Sequence, residues 1–166
     1  MVSLNPADWL RRPRVLYGLV ASTAVALVAA AVTLQFVEHI EPCPLCILQR
    51  YAFTFVAVFA ALAAALRGRA SSALALLALA SALAGAGVAA WHVHLQMDPP
   101  PETSCGASLQ YLLNNLPMGR ALPRIFLGYG DCTEVNWTFL QLSLPAWALF
   151  WLVVLAVALL VALRRR

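Results

Sequence analysis

Long apolar runs, not an alternating or helical amphipathic pattern, organise this chain. Val15 to Val37 is 23 residues without a charge, longer than the roughly 20 a helix needs to cross the hydrocarbon of a bilayer. Ile47 to Leu66 follows, polar only at Gln49, Arg50 and Thr54. Ser71 to Trp91, mostly Ala and Leu, is a third run, and Leu144 to Leu163 a fourth. The pattern predicts four spans, at 15–37, 47–66, 71–91 and 144–163. Between them lie a short loop at 38–46, a tight basic turn at Arg67-Gly68-Arg69, and one long hydrophilic loop at 92–143. The apolar region of a cleaved signal peptide is only about 7–15 residues long, so the first run reads as a span. Within the long loop, Pro99-Pro100-Pro101 blocks helix formation. Leu109, Leu112, Leu113 and Leu116 then recur at helical spacing, which predicts a short amphipathic helix on the membrane surface or over the loop's own interior. The expected architecture is all-α: one membrane domain over residues 1–166, a four-helix transmembrane bundle with two non-cytoplasmic loops.

Small residues recur four apart in three spans: Ser22, Ala26 and Ala30; Ala57, Ala61 and Ala65; Ser81, Gly85 and Ala89. Such faces allow close helix approach where lipid provides no hydrophobic drive for association. Trp137, Trp147 and Trp151 mark the membrane interface at the start of the last span.

Composition agrees with this pattern: 63% of residues are hydrophobic and 11% charged, against roughly 45–50% and about 25% in soluble domains. The net charge of +4 does not point to nucleic acid, because the Arg residues cluster at the ends of apolar runs. Arg11, Arg12, Arg14, Arg67, Arg69 and Arg164 to Arg166 share one side of the predicted topology with a single acid, Asp8. The opposite side carries Glu38, Glu41, Asp98, Glu102, Asp131 and Glu134 against Arg50, Arg120 and Arg124. Arg excess faces the cytoplasm, so both termini are expected there. All four cysteines then fall on the far side, in a bacterium the oxidising periplasm.

The candidate chemistry lies in Cys43-Pro44-Leu45-Cys46-Ile47-Leu48-Gln49-Arg50. A Cys-x-x-Cys pair closes into a small, easily exchanged disulfide. Cys46 comes just before the second run, where a helix start favours thiolate. Arg50 is four residues further on, on the same helical face; its charge is permanent, and a charge at a membrane boundary points to function. Cys43–Cys46 and Cys105–Cys132 are the favoured pairings, one in each outward loop, and exposed disulfides of this kind are labile and catalytic. Disulfides that merely staple the loops of a non-enzymatic scaffold are the plain alternative. No metal is expected: Cys105 and Cys132 are 27 residues apart, unlike the close second pair of a zinc site, and the rings of His92 and His94 diverge on a helix.

The Cys43-Pro-Leu-Cys46-x-x-Gln-Arg50 stretch, Cys105, Gly130-Asp131-Cys132, Trp137-x-Phe-Leu, Pro145-x-Trp-x-Leu and the four-span layout together resemble the bacterial disulfide bond formation protein DsbB family over essentially the whole chain. That resemblance implies an inner-membrane enzyme that reoxidises a DsbA-like periplasmic thioredoxin-fold protein and passes electrons to ubiquinone or menaquinone. By the same resemblance, Cys105 would be attacked by the partner's thiolate and Cys132 would pass reducing equivalents towards Cys43. Cys46 would meet the quinone, Arg50 would hold it, and His92, or its competitor His94, would lie near it. Gln49 stands where some members have an acid. A transient Cys43–Cys105 link between the loops is expected. A vitamin K epoxide reductase-like enzyme would use similar parts, but with its active pair late in the chain.

Overall fold

The computed structural model describes residues 13–39, 42–98, 132–133, 135 and 137–165. Four helices long and apolar enough to cross a membrane are α1 (Pro13–Val37), α2 (Pro44–Ala65), α3 (Gly68–Met97) and α4 (Leu144–Arg164). Proline opens α2 and α4, where its missing N–H costs nothing and its fixed φ suits the first turn. The basic turn between α2 and α3 is as tight as expected. Leu66 and Arg67 are extended, and Gly68 starts α3 at φ +68°, a backbone conformation that side chains disfavour. Arg14 crosses to this turn and donates to the Leu66 carbonyl at 2.8 Å, so a cation satisfies the carbonyl end of α2.

The helices form a ring: α2 lies between α1 and α3, α4 packs on α3 and more lightly on α1, and α2 and α4 barely meet. The interior is built from small residues, with Ala24, Ala60, Ala63, Ala75, Ala78, Ala82 and Ala89 all fully buried around Tyr17, Val56, Leu152 and Leu159. Large side chains such as Val25, Phe55, Leu62, Leu77 and Val157 point outwards. This reverses a soluble protein's distribution and suits lipid, which attracts no apolar face inwards.

Only one of the three expected small-residue stripes forms an interface. Gly85 and Ala89 are buried, whereas Ser22, Ala26, Ala61 and Ala65 face outwards. Alanine is so frequent in these spans that a four-residue spacing arises on more than one face, and the buried faces run instead through Tyr17, Ala21 and Ala24 and through Val56, Ala60 and Ala63. Gly85 marks the closest approach: a Cβ there would lie 2.6 Å from Ala52 Cβ and 3.2 Å from the Leu152 methyls. Gly85→Ala is therefore expected to cost about 1–3 kcal/mol by overpacking, seen as a lowered thermal midpoint in detergent. An unchanged midpoint would remove the tight contact from the account.

Two boundaries differ from expectation. Helix α2 begins at Pro44, which puts Cys46 inside its first turn, and α3 continues to Met97, carrying His92, His94 and Gln96 on helix instead of loop. The polar residues beyond Trp91 conceal that continuation from a hydropathy reading, although nothing in them breaks a helix before Pro99. Ahead of α4, strands β1 (Thr138–Phe139) and β2 (Leu142–Ser143) form an antiparallel hairpin, with Phe139 opposite Leu142. Its turn holds Leu140 and Gln141 at φ 51° and 64°. The expected loop helix around Leu109–Leu116 lies outside the described residues.

Candidate functional site

The first turn of α2 presents the cysteine pair. Cys43 is the extended N-cap, and its carbonyl accepts from Ile47 N–H at 3.2 Å. Pro44 occupies the first helical position and turns Cys46 back towards Cys43; the Cys43 thiol donates to Cys46 Sγ at 3.5 Å. Cys43 is 4% exposed. Its hydrogen bond with Cys132 favours the thiolate, but the hydrogen bond to Cys46 and burial outweigh that effect and push the thiol up to about 12. As a dithiol, Cys43 thus keeps its proton.

The continuation of α3 delivers His92 against the same pair. Nε2 lies 3.6 Å from Cys43 Sγ, Nδ1 lies 3.1 Å from the Gln49 amide, and the ring also meets the Cys132 backbone. His92 and Gln49 are both buried. The expected divergence of the two histidines holds, since the His94 ring instead packs on Trp91 with centroids 5.5 Å apart. Of the expected site residues, the structure gathers Cys43, Cys46, Cys132 and His92 into one cluster. Cys105, and with it the expected Cys43–Cys105 link, lies outside the described residues; among the described residues, Cys132 meets Cys43.

On the other side of Cys46 opens an apolar cavity of about 460 Å³. Its wall combines Cys46, Gln49, Arg50 and Phe53 of α2 with Leu27, Ala31 and Leu34 of α1 and Trp147 and Trp151 of α4, and the hairpin adds Trp137 and Phe139. His92 does not line this cavity; it sits behind Gln49, on the sulfur side. Arg50 donates from Nη1 to Gln35 Oε1 at 2.6 Å and from Nη2 to the Ala31 carbonyl at 3.4 Å, so α1 fixes the guanidinium at the cavity wall. Trp147 Nε1 donates to the Phe139 carbonyl at 3.0 Å and pins the hairpin over α4. Chemically, one exchangeable sulfur pair faces an apolar chamber with a fixed cation on one side and a further thiol on the other.

Sequence reading missed Gln35, Gln49 as the partner of His92, and the hairpin. The one available signal was an amide inside an apolar span, which needs a polar partner. Spacing along the chain sets a metal aside, yet the ligating atoms of Cys43, Cys46 and His92 lie within 4.8 Å of one another.

Comparison with known proteins finds relatives along almost the whole chain. A family model described as "Disulfide bond formation protein DsbB" covers residues 13–162. A protein named Disulfide bond formation protein B from Acidovorax sp. (strain JS42) is 46% identical over 95% of this chain and 92% of its own length. Proteins of the same name from Polaromonas sp. (strain JS666 / ATCC BAA-500) and Azoarcus sp. (strain BH72) are each 43% identical, over 92% and 84% of this chain and 92% and 85% of their own. A four-helix membrane bundle with its cysteine pair at the start of the second helix, matched along almost its whole length, places this chain in the disulfide bond formation protein DsbB family.

Proposed function

We propose that the protein is an inner-membrane thiol:quinone oxidoreductase. It would take electrons from a DsbA-like periplasmic dithiol oxidase through two cysteine pairs and so sustain disulfide formation, with both termini cytoplasmic. One observation carries the reading: the Cys43–Cys46 pair separates an apolar, cation-bearing cavity from a loop thiol.

The residues present fit a quinone. The cavity is apolar and aromatic, suited to a flat lipid-soluble ring, and Arg50 offers a donor to a ring oxygen. Cys46 and Gln49 line the same wall, so Cys46 and Arg50 would hold the ring between them. When bound, a quinone supplies a two-electron acceptor above the roughly −120 mV of DsbA-type dithiols, which no ordinary structural disulfide could provide.

The protein's own steps are thiol–disulfide exchanges. The partner's thiolate attacks Cys105 in the Cys105–Cys132 bond, forming a mixed disulfide and releasing Cys132 as thiolate. Cys132 then attacks Cys43 of the Cys43–Cys46 bond; a Cys43–Cys132 bond forms and Cys46 leaves as thiolate at the cavity wall, its charge facing Arg50. His92, held by Gln49, contacts Cys43 where that exchange occurs and can move a proton to or from its sulfur.

The deciding experiment is oxidation of a reduced DsbA-like protein by the purified protein in detergent, with and without added ubiquinone or menaquinone. Quinone-dependent turnover is expected; a stapled scaffold would show none. Gln35→Leu removes one hydrogen bond to the charged Arg50, about 1.5–3 kcal/mol, so it should raise KM for quinone about 10–100-fold and leave dithiol KM alone. Equal changes in both constants would refute a local role for Gln35.

A further inference from the structure

Three ligating side chains from two helices converge where the chain order shows no metal motif. Cys43 Sγ is 3.5 Å from Cys46 Sγ and 3.6 Å from His92 Nε2. Zinc bonds of about 2.3 Å to sulfur and about 2.0–2.1 Å to nitrogen, at tetrahedral angles, separate two sulfurs by about 3.8 Å and sulfur from nitrogen by about 3.5 Å. The two separations from Cys43 agree to within about 0.3 Å, and the ligating atoms of all three residues lie within 4.8 Å of one another.

The surroundings suit a cation as well. A metal-binding imidazole usually has its second nitrogen held by a hydrogen-bond partner, and Gln49 stands at 3.1 Å from Nδ1 in that role. Its amide can present oxygen or nitrogen by a flip. With oxygen towards Nδ1–H, the lone pair of Nε2 points at the sulfurs. Cys132, hydrogen-bonded to Cys43, offers a further sulfur.

We infer that the dithiol state of this site captures one thiophilic cation, Zn²⁺ or Cu⁺, on Cys43, Cys46 and His92, and that the disulfide state does not. This rests on the dithiol–disulfide cycle proposed above. Capture exchanges two thiol protons for the cation and moves no electrons. Thiolates select such soft ions. Oxidising the pair to a disulfide removes both anionic ligands and releases the cation. A bound cation in turn occupies the two sulfurs that must be reoxidised to a disulfide before Cys132 can attack again, so periplasmic metal would hold the protein in its reduced state.

The test uses the full chain in detergent, reduced with a phosphine and desalted, titrated with Zn²⁺ by calorimetry and with Co²⁺ for its thiolate charge-transfer band. One Zn²⁺ per reduced chain is expected, with at least hundredfold weaker uptake after oxidation. Bound Zn²⁺ should slow alkylation of Cys43 and Cys46 at least tenfold. Cys46→Ser should abolish the site and Cys105→Ser keep it, while Gln49→Leu should weaken it about 10–100-fold. Equal Zn²⁺ uptake by the reduced and oxidised wild-type chain, or alkylation indifferent to Zn²⁺, would overturn the inference without depending on any variant's folding. Quinone-dependent turnover without Zn²⁺ binding would discard the metal site alone; Zn²⁺ binding without turnover would discard only the proposed function.

Discussion

With Cys46 and Cys105 both replaced by Ser, the chain is expected to accumulate a Cys43–Cys132 disulfide under mild oxidation. The sister chain, with Cys46 and Cys132 replaced, should form Cys43–Cys105 at least tenfold more slowly. Exchange requires one sulfur to approach another along an open line, and Cys43 is 4% exposed. Its neighbours among the described residues include Cys46, His92 and Cys132, so Cys132 already stands within reach of its sulfur. The Cys46 substitution matters because it removes the thiolate that would otherwise resolve the bond. Peptide mapping after acid quench reads both rates, and either double variant should lose quinone-dependent turnover to background. Equal linkage rates would show that the loop brings both cysteines to Cys43 alike. The link expected from the sequence, Cys43 to Cys105, would then stand beside Cys43–Cys132.

Arg50→Ala is expected to lower quinone-dependent turnover about 10–100-fold while the protein still inserts and folds. A hydrogen bond to a charged group is worth about 1.5–3 kcal/mol, and each 1.36 kcal/mol is about a tenfold change. The cavity wall is largely apolar, so the charge acts with little water to screen it. Folding should survive because the partners of Arg50 are Gln35 and one helix carbonyl at the cavity edge, not the alanine interior. Arg50→Lys should recover only part of the loss, since an ammonium lacks the planar fork that holds Gln35 and a ring oxygen together. Insertion is followed by protease protection, and quinone reduction by its absorbance. Full turnover in Arg50→Ala would leave Arg50 as a helix-end residue whose charge simply reaches for the interface.

Much of this was legible in the chain because bilayer thickness forces a simple code. Runs such as Val15–Val37 must be helices to satisfy their backbones in lipid, and proline and glycine at Pro44, Pro145 and Gly68 punctuate them locally. The cysteine pair and Arg50 were readable for the same reason: their relation lies within one helix turn. Faces were not readable. In spans where nearly every position is Ala or Leu, periodicity cannot tell the lipid side from the protein side, and Ser22, Ala26 and Ala61 fell on the wrong one. The hairpin was hidden because its turn uses Leu140 and Gln141 instead of the Asn-Gly or Asp-Gly that its positive φ angles favour.

The chain by itself therefore determined four apolar crossings, their Arg-marked end and one exchangeable sulfur pair beside a permanent cation, since each follows from residues near one another in sequence. Tertiary structure alone decided what surrounds that pair. Gln35 reaches Arg50 from 15 positions away, and His92 reaches Cys43 from 49. The hairpin brings Trp137 and Phe139 to the cavity. The reason is physical: lipid rewards no particular helix face, so partners are chosen by the close packing of small side chains and by the need of the few polar groups to find one another.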